Sequence, residues 1–186
     1  MIQSTYENTP QYINNIIVSD NFLTEKEMNT GLEIIQKGEW KYGHHSLGKN
    51  LYEDEFWSMD LTNNDFFSKD LLKIIEKHFS KKFQLYRVYG NAHTFGQDGH
   101  FHTDSEEDGD YTFCLYFSKI DDAYVEPAGG YLYFRVPNEK YKIGYEPLFN
   151  RGIFFPSIYT HRGSSYSRYV MDMRICVAWK LKLINE

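Results

Sequence analysis

The sequence predicts an α+β protein that is mainly β, folded as a sandwich or barrel with the double-stranded jelly roll among the candidates. Three observations predict it. Aromatic residues make up 18% of the 186 residues, with 16 Tyr and 14 Phe, and that load suits a packed sheet interior better than a helix bundle. Amphipathic helical patterns are confined to the N-terminal side. After Lys82 nearly every apolar run alternates, or is short and continuous, between Gly, Asp, Asn and Pro. This length suits one domain over 1–186, with a helical support at about 20–80 and a β core at about 83–182.

In chain order, YINNIIVSDNF (12–22) reads as a first strand and its exit. Thr24 is in N-cap position with Glu27 three residues on, a capping box. The helix it opens, at about 24–37, carries Met28, Leu32 and Ile35 at helical spacing, and Gly38 marks a stop. Residues 40–58 are polar, aromatic and punctuated by Gly, and read as a long loop with room for a short strand; loops of this length are often functional. A second amphipathic helix, 64–80, places Phe67, Leu71, Ile74, Ile75 and Phe79 on one face. Strands follow at 83–96, 110–118, 129–136, 141–148, 152–157 and 174–182. Helices segregated from strands pack on the outside of a sheet.

Charge and composition exclude several function classes. The net charge is −6 and no basic stripe is present, so direct nucleic-acid binding is not expected. No apolar run is long enough to span a membrane, and the first residues lack a signal-peptide pattern, so a cytoplasmic protein is expected. Cys114 and Cys176 each sit in an apolar strand-like run and read as reduced core thiols; neither has the C-x-x-C spacing of a zinc site. Oligomeric state is not encoded in any pattern here.

The chemistry centres on His102-Thr103-Asp104. Residues i and i+2 of an extended chain point to the same side, so His102 and Asp104 can reach one metal while Thr103 points away. A third ligand from a distant strand, His161, completes a two-histidine, one-carboxylate face. Such a face leaves half of an octahedron open, as Fe(II) oxygenases require. Adjacent His44 and His45 point in different directions and do not make a metal pair.

Around this triad the landmarks fall in a definite order: NAHTFGQDGHFHTD, then TFCLY, GGYLYF, RGIFFPSIYTH, and RICVAWKL. From about Arg87 to Lys182 the sequence resembles the Fe(II)/2-oxoglutarate-dependent dioxygenases of the prolyl 4-hydroxylase-like type. The resemblance implies a double-stranded β-helix (jelly roll) with N-terminal helices packed on the outside of the major sheet. It implies Fe(II) held by His102, Asp104 and His161, with 2-oxoglutarate as co-substrate, O2 as oxidant and ascorbate as a supporting reductant. It assigns the distal carboxylate of 2-oxoglutarate to Arg174, since a guanidinium fork binds a carboxylate through two parallel hydrogen bonds. Arg168 competes, because the gap from His161 to Arg174 is longer than is usual in the family. Arg174 is preferred because it opens an apolar strand. Tyr116 contacts the same carboxylate, with Thr112 and Cys114 on its face of the strand. His93 stands where relatives place a tyrosine, and contacts co-substrate or serves as an outer-shell donor. Asn91, on the same face, orients co-substrate or substrate.

The implied reaction is oxidative decarboxylation of 2-oxoglutarate to succinate and CO2, coupled to hydroxylation of a substrate. That substrate is a prolyl or other residue of a protein or peptide. Aromatics of 42–58 (Tyr42, Tyr52, Phe56, Trp57) and the acidic loop 105–110 are expected to frame it, with Tyr42 and Trp57 as contacts. Three other readings compete: a non-catalytic cupin-like metal- or ligand-binding module or a metal-hydrolase relative, an inactive partner-binding descendant, and a hydroxylase of a free amino acid or other small metabolite.

Overall fold

The computed structural model describes residues 9–46, 55–120 and 128–184. Two antiparallel sheets face each other. The larger has strand order β1-β8-β5-β10-β4-β3-β2, and the smaller β7-β6-β9. In chain order the strands are β1 Ile17–Ser19, β2 Lys41–His44, β3 Phe56–Asp60, β4 Phe83–His93, β5 Asp110–Tyr116, β6 Leu132–Arg135, β7 Lys142–Tyr145, β8 Gly152–Pro156, β9 His161–Gly163 and β10 Arg174–Leu183. The helices are α1 Thr9–Asn14, α2 Glu25–Lys37 and α3 Leu71–Phe79. The architecture is the jelly roll with helices against the major sheet.

Strand alternation divides the interior in two. On β10, Ile175, Val177, Trp179 and Leu181 face the helices and join Phe67, Leu71 and Ile75 in one apolar core. Cys176 and Ala178 face the small sheet and join Tyr116, Leu132, Phe134 and Phe155 in a second. Trp179 is fully buried and its Nε1 donates to the Phe67 carbonyl at 2.9 Å, fastening the helical layer to β10.

The capping box of α2 forms. Thr24 Oγ1 accepts from the Glu27 amide at 3.4 Å, and Glu27 Oε2 accepts from the Thr24 amide at 2.8 Å. Gly38 ends the helix for another reason than a left-handed turn. Its φ is −80°, and a Cβ there would lie 2.6 Å from Met59 Sδ, so the end of the Met59 side chain packs against the bare glycine.

Three expectations need correction. Helix α1 occupies the beginning of the 12–22 stretch, leaving only three residues of strand. The second helix is preceded by a π-helical turn, Phe66–Asp70, and stops at Ser80, whose left-handed φ of 52° caps it. The 40–58 stretch contains two strands, β2 and β3, that extend the major sheet; of its aromatics Tyr52 lies outside the described residues. Strand β9 is too short for period-2 alternation to reveal. No helix among the described residues is long and apolar enough to cross a membrane.

Candidate active site

The two histidines are joined through the backbone. His102 N donates to His161 O at 3.0 Å and His161 N donates to His102 O at 2.9 Å, an isolated antiparallel bridge at the edge of the small sheet. Asp104 is pinned by its own amide, which donates to Ser157 O at 2.9 Å. One ligand atom from each of His102, Asp104 and His161 falls within a group spanning 4.8 Å, and Thr103 is exposed.

The donor chemistry fits a divalent ion. Each histidine gives its Nδ1–H to a carbonyl: His102 to His100 O and His161 to Tyr159 O, both at 2.8 Å. That fixes the tautomer and leaves Nε2 as a lone pair aimed at Asp104. The two Nε2 atoms lie 3.5 and 3.3 Å from Asp104 oxygens. Burial, against the pull of the Asp104 carboxylate, lowers His161 to about 4, so the imidazole is neutral and ready to ligate. Burial alone would raise Asp104, but the Lys180 ammonium beside it holds the carboxyl well below the usual range. With two imidazoles, one carboxylate and no thiolate in the group, the set suits Fe(II).

Next to the cluster lies a cavity lined by Tyr89, Asn91, His93, Tyr116, Arg174 and Lys180, among others. Arg174 is 2% exposed, and no carboxylate pairs with it among the described residues. Its Nε donates to Gly130 O at 2.6 Å and Nη2 to the Tyr116 hydroxyl at 3.1 Å. Gly130 reaches it because Gly129 and Gly130 both take positive φ, 74° and 77°. A Cβ on Gly163 would stand 3.3 Å from both terminal nitrogens, so the glycine leaves room beside the guanidinium. A buried cation without an anion is costly, and this one faces a cavity. The Tyr116 hydroxyl accepts from Arg174 and therefore has its own proton free to donate.

Other predicted residues fall differently. Arg168 is exposed and donates to the Tyr169 hydroxyl at 2.8 Å, away from the cavity. Thr112 does not contact co-substrate space: its hydroxyl donates to Asp104 Oδ2 at 2.6 Å, with Ser157 Oγ at 3.0 Å. Cys114 lines the cavity as a buried free thiol beside Cys176. Asn91 also lines it, and its Oδ1 is buried without a hydrogen-bond partner among the described residues. His93 is driven down to about 3 by burial and by Arg174. Its Nδ1 donates to Gln97 O at 2.5 Å, leaving Nε2 as a bare acceptor, a poor partner for a carboxylate. Tyr42 and Trp57 pair with each other, and Trp57 pairs with Ala92, so both lie on the sheet face opposite Asn91 and His93. Phe56 of this hairpin does enter the cavity, stacked on His93 with ring centroids 4.3 Å apart. His44 packs edge-on to Phe56, and His45 lies 3.5 Å from Glu55; neither belongs to the metal group.

Lys180 is the site residue that sequence reasoning missed. It lies six residues after Arg174, an even spacing on one strand, so the alternation that places Arg174 in the cavity places Lys180 there too.

Fold and site together define a jelly roll carrying a two-histidine, one-carboxylate cluster beside a buried arginine. No family model and no curated protein matches the sequence. Solved structures do resemble the fold. A prolyl hydroxylase from Trichoplax adhaerens, in complex with a hypoxia inducible factor oxygen degradation domain peptide fragment, matches with a TM-score of 0.71 and 15% identity over 97% of this chain and 94% of its own. A Pseudomonas putida prolyl-4-hydroxylase matches with a TM-score of 0.62 and 13% identity over 90% and 92%. HygX from Streptomyces hygroscopicus, with nickel, 2-oxoglutarate and hygromycin B bound, matches with a TM-score of 0.66 and 10% identity over 94% and 86%. The chain therefore has the fold of the 2-oxoglutarate/Fe(II) oxygenases, prolyl hydroxylases included.

Proposed function

We propose that the protein is an Fe(II)- and 2-oxoglutarate-dependent dioxygenase that hydroxylates a residue of a protein or peptide, with proline the first candidate. The observation that carries this reading is the pairing of a convergent His102-Asp104-His161 group with a buried Arg174 that no acidic residue neutralises among the described residues. A hydrolase or a simple metal-binding module has no use for an uncompensated guanidinium in its cavity. A dicarboxylate co-substrate does.

His102, Asp104 and His161 would hold the iron, and Arg174 would bind the distal carboxylate of 2-oxoglutarate through its planar fork. Tyr116 donates its free proton to the same carboxylate. Bound together, the iron and 2-oxoglutarate supply O2 activation and the oxidation itself, with ascorbate as a supporting reductant. Ordered Nδ1 contacts keep both histidine rings aimed without rearrangement on binding. Asn91 Oδ1 is a buried acceptor in the cavity wall and is suited to orient co-substrate or the group being oxidised. Phe56, not Trp57, closes the wall beside His93.

The peptide reading rests on likeness to the prolyl hydroxylase folds. Succinate release is to be measured against peptides containing proline, lysine or arginine, with Fe(II), 2-oxoglutarate and ascorbate present. Stimulation by a proline peptide supports the reading. No stimulation by any peptide redirects it to a free amino acid or another small metabolite.

A further inference from the structure

We propose that Lys180 is a positioning residue for the metal, holding one oxygen of Asp104 so that only the other is offered to the ion. Lys180 and Thr112 are directly opposed across the β5–β10 ladder. Both donate to the same atom, Asp104 Oδ2: Thr112 Oγ1 at 2.6 Å, and Lys180 Nζ in close contact. A carboxylate oxygen carries two lone pairs, so Oδ2 is saturated by these two donors. Oδ1 faces His102 Nε2 at 3.5 Å and takes neither of these donors; His161 Nε2 lies 3.3 Å from Oδ2, whose lone pairs Lys180 and Thr112 already occupy. Lys180 is itself buried, 8% exposed, with the Tyr89 ring 5.6 Å from its ammonium; among the described residues its ion-pair partner is Asp104. An ammonium is buried this deeply only for a dedicated anion.

The consequence is a count of open positions, and it rests on the function proposed above. An octahedral ion bound by two histidines and one carboxylate oxygen keeps three positions. That is the number needed by a chelating 2-oxo acid together with O2. An Asp104 free to turn and chelate through both oxygens would occupy one of them. Lys180 and Thr112 therefore protect a coordination position, which a residue that merely fills the core would not.

The test uses full-length protein with Lys180→Met, Lys180→Arg and Thr112→Val. Mn(II) is the first probe, and the waters on the bound ion are counted by electron spin echo spectroscopy in D2O, with no 2-oxo acid present. Lys180→Met is expected to hold one coordinated water fewer than wild type, and Lys180→Arg to restore it. Thr112→Val, which removes the second donor to the same oxygen without altering charge, is expected to shift in the direction of Lys180→Met. Anaerobic 2-oxoglutarate binding to the Fe(II) form is then expected to weaken about tenfold or more in Lys180→Met, the usual scale for losing an outer-shell partner. An unchanged water count in Lys180→Met overturns the proposal. Should that variant fail to fold, an unchanged count in Thr112→Val does so. Wild-type protein that binds Mn(II) but not 2-oxoglutarate sinks the functional reading instead, and leaves the water count to decide on Lys180.

Discussion

His102 and His161 exchange both of their backbone hydrogen bonds, at 3.0 and 2.9 Å, although 59 residues separate them. The two candidate ligands are thus placed by main-chain pairing, and each ring is oriented by a carbonyl two residues before it. Preformed ligands of this kind should bind an ion without refolding. Divalent metal is expected to raise the melting temperature of wild-type protein by mass action. His161→Ala should lose that shift, with an affinity drop beyond the about 10–100-fold typical of outer-shell changes. Melting curves with and without Mn(II) check this, and an undiminished shift in His161→Ala would place the metal elsewhere.

Arg174 should show opposite effects on stability and on binding. As a buried cation with no anion beside it among the described residues it is held at a cost, so Arg174→Met is expected to leave the ligand-free melting temperature unchanged or raised. The same change should weaken 2-oxoglutarate by about 2–5 kcal/mol, thirtyfold or more. Arg174→Lys keeps the charge but not the fork and should recover only part of the affinity. Calorimetric titration of the metal-loaded variants with 2-oxoglutarate distinguishes these outcomes.

The buried histidines make the metal-free protein acid-sensitive. His93 is lowered to about 3 and His161 to about 4, against about 6.5 in an unfolded chain. Above pH 6.5 both states are neutral and pH has no effect through these groups. Below it the unfolded chain takes up protons that the folded one refuses, so stability falls as pH drops toward 4, by up to about 1.4 kcal/mol per histidine per pH unit. His93→Gln should flatten the slope of melting temperature against pH between 6.5 and 4. Equal slopes in variant and wild type would contradict the burial of a neutral His93.

Trp179 links the helical layer to the strand that carries Arg174 and Lys180. Trp179→Phe keeps most of the apolar volume but strips the Phe67 carbonyl of its buried donor. The expected loss is about 1–3 kcal/mol in chemical denaturation, with the metal affinity of the folded fraction unchanged. A smaller metal affinity at full folding would show that the helical layer controls the site.

Much of this site was legible in the sequence because its chemistry sits on regular alternation. The i, i+2 spacing of His102 and Asp104 and the strand-opening place of Arg174 follow from period 2, and the cavity contains Tyr116 on the face predicted for it. The capping box of α2 is a local pattern and was readable from Thr24 and Glu27 alone. Other features depend on contacts that no local pattern encodes. The 40–58 stretch is strand because β4 offers it an edge, and its register, set by Trp57 against Ala92, decides that Phe56 faces the site. The role of Thr112 depends on Asp104 arriving from a different segment. Lys180 was hidden by its type: in a sequence a lysine near a strand's end reads as solvated, and only the buried carboxylate opposite makes it structural.

The central claim is that Asp104 and the two histidines hold Fe(II) beside a carboxylate anchor. It is tested most directly by titrating the anaerobic Fe(II)-loaded protein with 2-oxoglutarate and recording the visible spectrum. A weak charge-transfer band is expected, saturable in wild type, absent in His161→Ala, and shifted to much higher 2-oxoglutarate concentration in Arg174→Met. Wild-type protein that binds Fe(II) yet develops no band at any concentration of 2-oxoglutarate would contradict it.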